Sequence, residues 1–223
     1  MSIADKLTIA NYEIDLPTLE RYREGKWLAD DNINGFLFYY TTENEDVLVF
    51  KTLLYSFYNE FGYSRVKRFT LPRYIGCRSI FERSYLFFPI HLLNHWALVV
   101  YIKSLNQLVY IDSIMKDNPN YILNKIKDYL QEENNSKCEG RYNIDPTFVN
   151  LKDCPQQNNS IDCGVFVIAA VLSVLDNSTV LATSPLSSRH LMYSQSDIKR
   201  LRENILQYMI ANRQEGSFEM LIF

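Results

Sequence analysis

The chain has 223 residues with a formal net charge of −3, and 47% of its residues are hydrophobic. This length and composition fit one compact domain, or one domain with an added arm. Seven glycines and seven prolines are too few for a low-complexity or disordered chain. No long basic run is present, so we do not expect nucleic acid as a partner.

The sequence also argues against secretion and membrane insertion. Its N-terminus lacks the basic start and apolar stretch of a secretory signal. The longest uncharged apolar run, Gly164 to Leu175, has 12 residues, whereas a membrane span needs about 20. The four cysteines are few and irregularly spaced, so we expect an intracellular protein without a disulfide framework. Since no Cys-x-x-Cys pair is present, we do not expect a structural zinc ion. We expect no other cofactor.

The first third of the sequence predicts helices. The stretch "TLERYREG" ends in Gly25, which suits the position just after a helix. The stretch "ADDNINGFLFYYT" begins with acidic residues, which favour a helix N-terminus. From Asp46 to Phe61 the apolar residues recur at helical spacing, which predicts a longer amphipathic helix.

The middle of the sequence changes to short β-prone runs. Three of them, at 85–90, 95–102 and 107–113, are separated by the turn-like stretches "HLLN" and "KSLN". Residues 120–133 predict another helix, and a fourth strand candidate follows at 146–151.

The last third predicts two further helices. The apolar run from Cys163 to Leu175 is too long for an ordinary strand and predicts a buried helix. Ser196 is a candidate cap for a final helix from Asp197 to about Asn212. Helices before, between and after the strands predict an α+β fold, with helices packed around one central sheet.

Cys163 lies where a polar loop becomes the predicted buried helix. A thiol is nucleophilic at neutral pH only when part of it is thiolate, and the N–H groups of a helix N-terminus favour that anion. Gly164, the next residue, would let a substrate backbone come close. The other three cysteines have no predicted helix start beside them.

The base for such a thiol must come from three histidines, His91, His95 and His190. His190 lies in a stretch that we interpret as a solvated loop. His95 is the better candidate because it opens a strand, and Asp112 closes the next one. If the two strands form a hairpin, their outer ends meet, and the Asp112 carboxylate can orient the imidazole.

An acyl-transfer site also needs donors for the developing oxyanion. The backbone N–H of Cys163 is one candidate. A side-chain amide from the preceding loop is the second, and both Gln156 and Gln157 are available. The physical argument alone does not choose between them.

Five collinear motifs carry a family resemblance. They are "WLADDNIN" (27–34), "VKRFT" (66–70), "FFPIHLLNHWALVV" (87–100), "YIDS" (110–113) and "PQQNNSIDCGVF" (155–166). With them the chain resembles the ubiquitin-like-protein-specific cysteine proteases of the Ulp/SENP family. The resemblance implies a papain-like α+β fold with a central mixed sheet, and one catalytic domain over residues 1–223, with the motifs between about 12 and 170.

The resemblance also implies site residues. It makes His95, Asp112 and Cys163 a catalytic triad, and it selects Gln157, six residues before the nucleophile, as the oxyanion donor. The implied reaction is hydrolysis of the bond after the Gly-Gly C-terminus of a ubiquitin-like protein.

The resemblance further implies a narrow tunnel for the substrate tail. It makes Trp27 and Trp96, the only tryptophans, the two walls that admit glycine and exclude larger residues. Asp30 matches a position that contacts the modifier, and His91 one near the tunnel. The chain departs from the family pattern at Phe69, Ala29 and Ser160, where the family usually has Trp, Asn and Gly.

The implied partner is a ubiquitin-like modifier, with SUMO ranked first and NEDD8 or ubiquitin as alternatives. The enzyme is expected to act as a monomer in the nucleus or cytoplasm, or in a host cell if it is a secreted effector. An acetyltransferase with the same Cys-His-acid chemistry, and a non-catalytic modifier-binding module, rank lower. A Gly-Gly tunnel would serve no purpose in the former, and the latter needs no triad.

Overall fold

The computed structural model describes residues 6–9, 12–23, 25–114 and 118–211. Within these ranges the strands are β1 Lys6–Ile9, β2 Tyr12–Asp15, β3 Val47–Val49, β4 Tyr85–His91, β5 Trp96–Ile102, β6 Gln107–Ile111 and β7 Thr147–Asn150. The α-helices are α1 Leu16–Glu20, α2 Asp30–Thr41, α3 Leu54–Phe61, α4 Tyr63–Val66, α5 Pro72–Ile75, α6 Asn120–Cys138, α7 Cys163–Asp176, α8 Ser178–Leu181 and α9 Gln195–Ala211.

Five strands form a mixed sheet in the order β3-β4-β5-β6-β7. The central strands β4, β5 and β6 are antiparallel neighbours, whereas β3 is parallel to β4 and β7 is parallel to β6. Strands β1 and β2 form a separate antiparallel pair. The α+β class with one central mixed sheet is therefore as predicted.

The sheet separates two hydrophobic clusters. Along β5, Leu98 and Val100 belong to the cluster that contains α2, α7 and α9, while Val99 and Tyr101 belong to the cluster that contains α3 and α6. This alternation follows from the two-residue period of a strand. Because helices cover both faces, every residue of β5 is buried.

The sequence predictions are confirmed to within a few residues for helices α2 and α7 and for strands β4 to β7. The predicted helix from Asp46 to Phe61 is wrong in its first half. Val47 and Val49 are buried in strand β3, which pairs with β4, and the helix begins only at Leu54. The spacing of the apolar residues in this stretch suits both a helix and a strand. The first half forms a strand because it can pair with the open edge of β4.

Two helix ends also differ from the sequence predictions. Helix α1 ends at Glu20, so Gly25, with φ of 84°, lies in the following loop. Helix α6 extends to Cys138 instead of stopping near Glu133. Asn212 and the stretch "SFEMLIF" lie outside the described residues.

The start of α9 carries a different cap from the predicted one. Ser194 and Asp197 exchange hydrogen bonds, from Ser194 N to the carboxylate at 2.8 Å and from Asp197 N to Ser194 Oγ at 3.3 Å. The capping serine is therefore Ser194 and not Ser196, because the helix begins two residues earlier than predicted, at Gln195.

Among the described residues, no helix combines the length and the hydropathy that crossing a bilayer requires. The same residues contain no cluster of His, Cys, Asp and Glu side chains that could hold a metal ion. All four cysteines are thiols, and three of them are buried.

Candidate active site

Cys163 is the first residue of α7, as predicted. The helix is buried along most of its length, so the apolar run behind the thiol fixes the position of the helix N-terminus. The first N–H groups of a helix have no intrahelical acceptor, and they favour negative charge nearby. Cys163 itself is 3% exposed and lines a surface cleft of about 250 Å³.

Gly164 has a different role from the predicted one. A Cβ atom at this position would lie 3.0 Å from Leu28 Cβ and 3.3 Å from Ile33 Cδ1. The space beside Gly164 is therefore filled by the protein itself and not left for substrate. Glycine is needed here because the start of α7 packs directly against Leu28, the residue after Trp27.

His95 and Asp112 meet at one end of the sheet, as the predicted hairpin requires. His95 directly precedes β5, and Asp112 directly follows β6, its antiparallel neighbour. His95 Nε2 lies 2.5 Å from Asp112 Oδ1, and both residues are 6% exposed. A carboxylate only accepts hydrogen bonds, so Nε2 donates, and Nδ1 remains to exchange a proton with the thiol.

Asp112 is held by more groups than the sequence suggests. Tyr110 Oη donates to its Oδ2 at 2.8 Å, and the backbone N–H of Ile114 donates to Oδ1 at 2.9 Å. Tyr110 was not a predicted site residue, although the two-residue period places its side chain on the same face as Asp112. The carboxylate is thus buried and fixed in direction.

The environment of His95 favours its protonated form. Burial lowers the pKa of the ring, but the hydrogen bond and charge of Asp112, and to a smaller extent the Cys163 sulfur, outweigh burial and raise the pKa to about 9. Nδ1 makes no hydrogen bond of ordinary geometry within the described residues. Nδ1 is thus the ring nitrogen left to face the thiol, and Cys163 is close enough to contribute to the raised pKa.

The two glutamines of the preceding loop have separate roles in the structure. Gln156 Nε2 donates to the backbone oxygens of Asp112 at 2.9 Å and of Cys154 at 3.0 Å, so it anchors the loop to the end of β6. Gln157 Oε1 accepts from Ser113 Oγ at 2.7 Å, and its Nε2 donates to Asn159 O at 2.6 Å.

The cleft at Cys163 contains the four other predicted contact residues. Trp27, Asp30, His91 and Trp96 all line it. Trp27 is 40% exposed and donates from Nε1 to Ser160 O at 2.5 Å, while Trp96 is 6% exposed and donates to Leu28 O at 3.0 Å.

His91 faces Trp96 across the β4–β5 pair, with ring centroids 4.4 Å apart. His190 does not belong to the cleft. It is buried, and its Nδ1 accepts from the backbone N–H of Ser187 at 3.1 Å, so the predicted solvated loop is wrong there.

The chain is similar to known proteins over most of its length. A family model described as "Ulp1 protease family, C-terminal catalytic domain" matches residues 26–212. Human Sentrin-specific protease 2 is 33% identical over 174 residues, which are 74% of this chain and 28% of that protein. Ubiquitin-like-specific protease ESD4 of Arabidopsis thaliana is 31% identical over 173 residues, 71% of this chain and 34% of that protein. The chain thus spans half or less of the length of such relatives.

Solved structures show the same fold. The C-terminal Ulp1 protease domain in complex with SMT3, the yeast orthologue of SUMO, has a TM-score of 0.73 and 25% identity, covering 93% of this chain and 87% of that one. A SUMO protease Ulp1 with its catalytic cysteine oxidised to a sulfenic acid has a TM-score of 0.77 and 24% identity, covering 93% and 89%. With a family model matched from residue 26 to residue 212, the chain belongs to the Ulp1 protease family.

Proposed function

We propose that this protein is a thiol protease that hydrolyses the bond after the Gly-Gly C-terminus of a ubiquitin-like modifier, with SUMO as the first candidate. The reaction would mature a modifier precursor or release the modifier from a lysine. The observation that carries the proposal is the buried His95–Asp112 pair at 2.5 Å, with the Cys163 thiol at a helix N-terminus acting on the same imidazole.

The steps follow from the positions of these groups. The Cys163 thiolate attacks the carbonyl carbon of the terminal glycine, and the protonated His95 gives its proton to the leaving amine. A thioester then links Cys163 to the modifier. His95 next takes a proton from water, which attacks the thioester, and the thiolate leaves. Asp112 keeps the imidazole in one tautomer and stabilises its charge in both steps.

Gln157 and the N–H of Cys163 would bind the oxyanion in both tetrahedral intermediates. The Ser113 hydroxyl holds Gln157 Oε1, which fixes the direction of the amide. Since a carboxamide nitrogen carries two N–H groups, one can donate to Asn159 O and the other to the oxyanion. This tethering supports Gln157 over Gln156, whose amide is directed to the Asp112 backbone.

The substrate tail would enter along the cleft between Trp27 and Trp96. Two indoles on either side of an extended chain leave room for glycine and exclude residues with a Cβ. Asp30 would contact a basic residue on the modifier surface, and the His91 ring would support the Trp96 ring, against which it packs. We further infer that the described residues act as one catalytic domain, as a monomer, on modifiers inside cells.

SUMO ranks first because the similar proteins include Sentrin-specific proteases and a Ulp1 domain bound to SMT3. The decisive experiment labels the purified protein with SUMO, NEDD8 and ubiquitin, each carrying a C-terminal electrophile. We expect rapid labelling by the SUMO probe, slower or no labelling by the other two, and none in Cys163→Ala.

Other outcomes would replace the proposal. Preferential labelling by NEDD8 or ubiquitin would change the modifier and keep the chemistry. Transfer of acetyl groups to protein without any peptidase activity would indicate an acetyltransferase, and tight binding of a modifier without labelling would indicate a binding module.

A further inference from the structure

Asp162, the residue before the candidate nucleophile, carries a carboxylate that the reaction does not use. It is 4% exposed, and its side chain makes no capping hydrogen bond to α7, although it occupies the cap position. A buried carboxylate is costly unless it is paired and hydrogen-bonded. Its partners therefore show what holds the Cys163 loop in place.

Those partners come mainly from the C-terminal helix α9. Arg202 donates to Asp162 Oδ1 from Nε at 3.1 Å and from Nη2 at 2.7 Å. Gln195 Nε2 donates to Oδ2 at 2.7 Å, and Asn159 Nδ2 donates to the same oxygen at 2.7 Å. Arg202 and Gln195 are seven residues apart, which is about two helical turns, so both project from one face of α9.

Arg202 also binds the segment that leads to Trp27. Its Nη1 donates to the backbone oxygens of Arg21 at 2.8 Å and Lys26 at 2.9 Å. Trp27 in turn donates to Ser160 O, in the loop that ends at Asp162. One buried guanidinium thus connects the loop before Cys163 with the loop that carries the exposed wall of the cleft.

We propose that Arg202 is a positioning residue that holds Trp27 and the Cys163 loop at a fixed separation, and so sets the width of the cleft for the substrate tail. The proposal rests on the function proposed above. A planar guanidinium can donate to a carboxylate on one edge and to carbonyls on the other. A lysine in its place keeps the positive charge for Asp162 and loses the second connection.

Arg202→Lys is therefore expected to weaken the binding of the substrate and to leave the reactivity of the Cys163 thiol nearly unchanged. With the modifier that the wild type cleaves, kcat/KM is expected to fall by about 10- to 100-fold, mainly through a higher KM, because the tail is no longer aligned. The rate of Cys163 alkylation by iodoacetamide is expected to stay within about threefold of the wild type, since this small reagent needs no tunnel.

Trp27 provides a readout that does not depend on any substrate. The chain has two tryptophans, so Trp96→Phe leaves Trp27 as the only indole. Trp27 is 40% exposed. When Arg202→Lys is added, the segment that carries Trp27 is no longer held by the guanidinium. The acrylamide quenching constant of Trp27 fluorescence is therefore expected to rise about twofold. Arg200→Lys is the matched control, because Arg200 lies on the same helix and its side chain is 70% exposed.

The double variant Asp162→Asn/Arg202→Gln covers the case in which a single Arg202 variant does not fold. It removes both charges, so no unpaired charge remains buried. It is expected to show the same higher KM and the same increase in quenching. Unchanged quenching and unchanged KM in a folded Arg202 variant would overturn the proposal, as would an equal loss in cleavage and in alkylation. If the wild type cleaves no ubiquitin-like substrate, the proposed function fails, whereas the quenching comparison still decides whether Arg202 holds Trp27.

Discussion

At the scale of single residues, His95 has a strongly raised pKa. Its folded pKa of about 9 lies above the ordinary value of 6.5, because Asp112 and Cys163 outweigh the effect of burial. At neutral pH the ring is therefore charged and can serve as the proton donor for the leaving amine. This requires Asp112 to stay directed at Nε2, and the hydrogen bonds from Tyr110 Oη and the Ile114 N–H hold the carboxylate in that direction.

The raised pKa predicts a pH dependence of stability. A group protonated more readily in the folded state contributes stability fully below its unfolded pKa, near 6.5, and loses it as pH rises through about 9. The free energy of unfolding of the wild type is expected to fall by about 1–3 kcal/mol relative to His95→Gln between pH 6 and pH 10. Urea unfolding at several pH values measures this difference. A parallel pH profile for the two proteins would contradict it.

The adjacent glutamines allow a matched comparison of oxyanion binding. Gln157→Ala is expected to lower kcat by about 10²–10³-fold with little change in KM, because the donor acts only on the transition state. Gln156→Ala removes the anchor to Asp112 O and is expected to cost about 1 kcal/mol of stability and less than tenfold in kcat. Steady-state kinetics and thermal unfolding distinguish the two. Equal effects on kcat would reject the assignment of Gln157.

At the scale of elements, helix α9 matters beyond its contribution to the core. It presents Gln195 and Arg202 to the loop before Cys163, so its first turn must be well formed. Ser194 and Asp197 satisfy the N–H groups of that turn by exchanging hydrogen bonds.

Ser194→Ala is therefore expected to lower the free energy of unfolding by about 1 kcal/mol, the usual cost of losing a helix cap. Ser196→Ala serves as the control and is expected to cost less than about 0.5 kcal/mol, because Ser196 lies within the first turn. Chemical denaturation of the three proteins tests this. A larger loss of stability in Ser196→Ala than in Ser194→Ala would show that Ser196 is the cap, as the sequence predicted.

At the scale of the whole molecule, the sheet divides the structure into a face with α7 and a face with α6. Glu133 of α6 is 1% exposed and accepts from Tyr63 Oη at 2.7 Å and Thr70 Oγ1 at 2.5 Å, and it pairs with Lys137 at 2.8 Å. This network ties α6 to α4 and to the segment after it, on the face away from Cys163.

Glu133→Ala is expected to reduce stability by about 3 kcal/mol, because it leaves Lys137 without its buried partner. The rate of Cys163 alkylation is expected to change less than about twofold in conditions where the variant is folded, since the network does not reach the site. Glu132→Ala, the exposed neighbour, is expected to cost less than about 1 kcal/mol. A loss of Cys163 reactivity in folded Glu133→Ala would show coupling across the sheet.

The sequence by itself determined the features that depend on local period and spacing. The apolar run after Cys163 predicted α7, and the alternating runs predicted β4 to β6, because burial of one face imposes the period of the element. The turn between β5 and β6 was short enough to predict that His95 and Asp112 meet. The five motifs then indicated the family, and the resemblance predicts roles for Gln157, Trp27 and Trp96.

Only the tertiary structure decided the features that depend on partners distant in sequence. Val47 to Val49 became a strand because β4 offered an unpaired edge, and Gly164 was required because Leu28 packs on the helix start. Asp162 and Arg202 are 40 residues apart, and no local pattern relates them. A buried charge must find its partner in the folded chain, and for that reason the connection between the two loops of the cleft appears only in three dimensions.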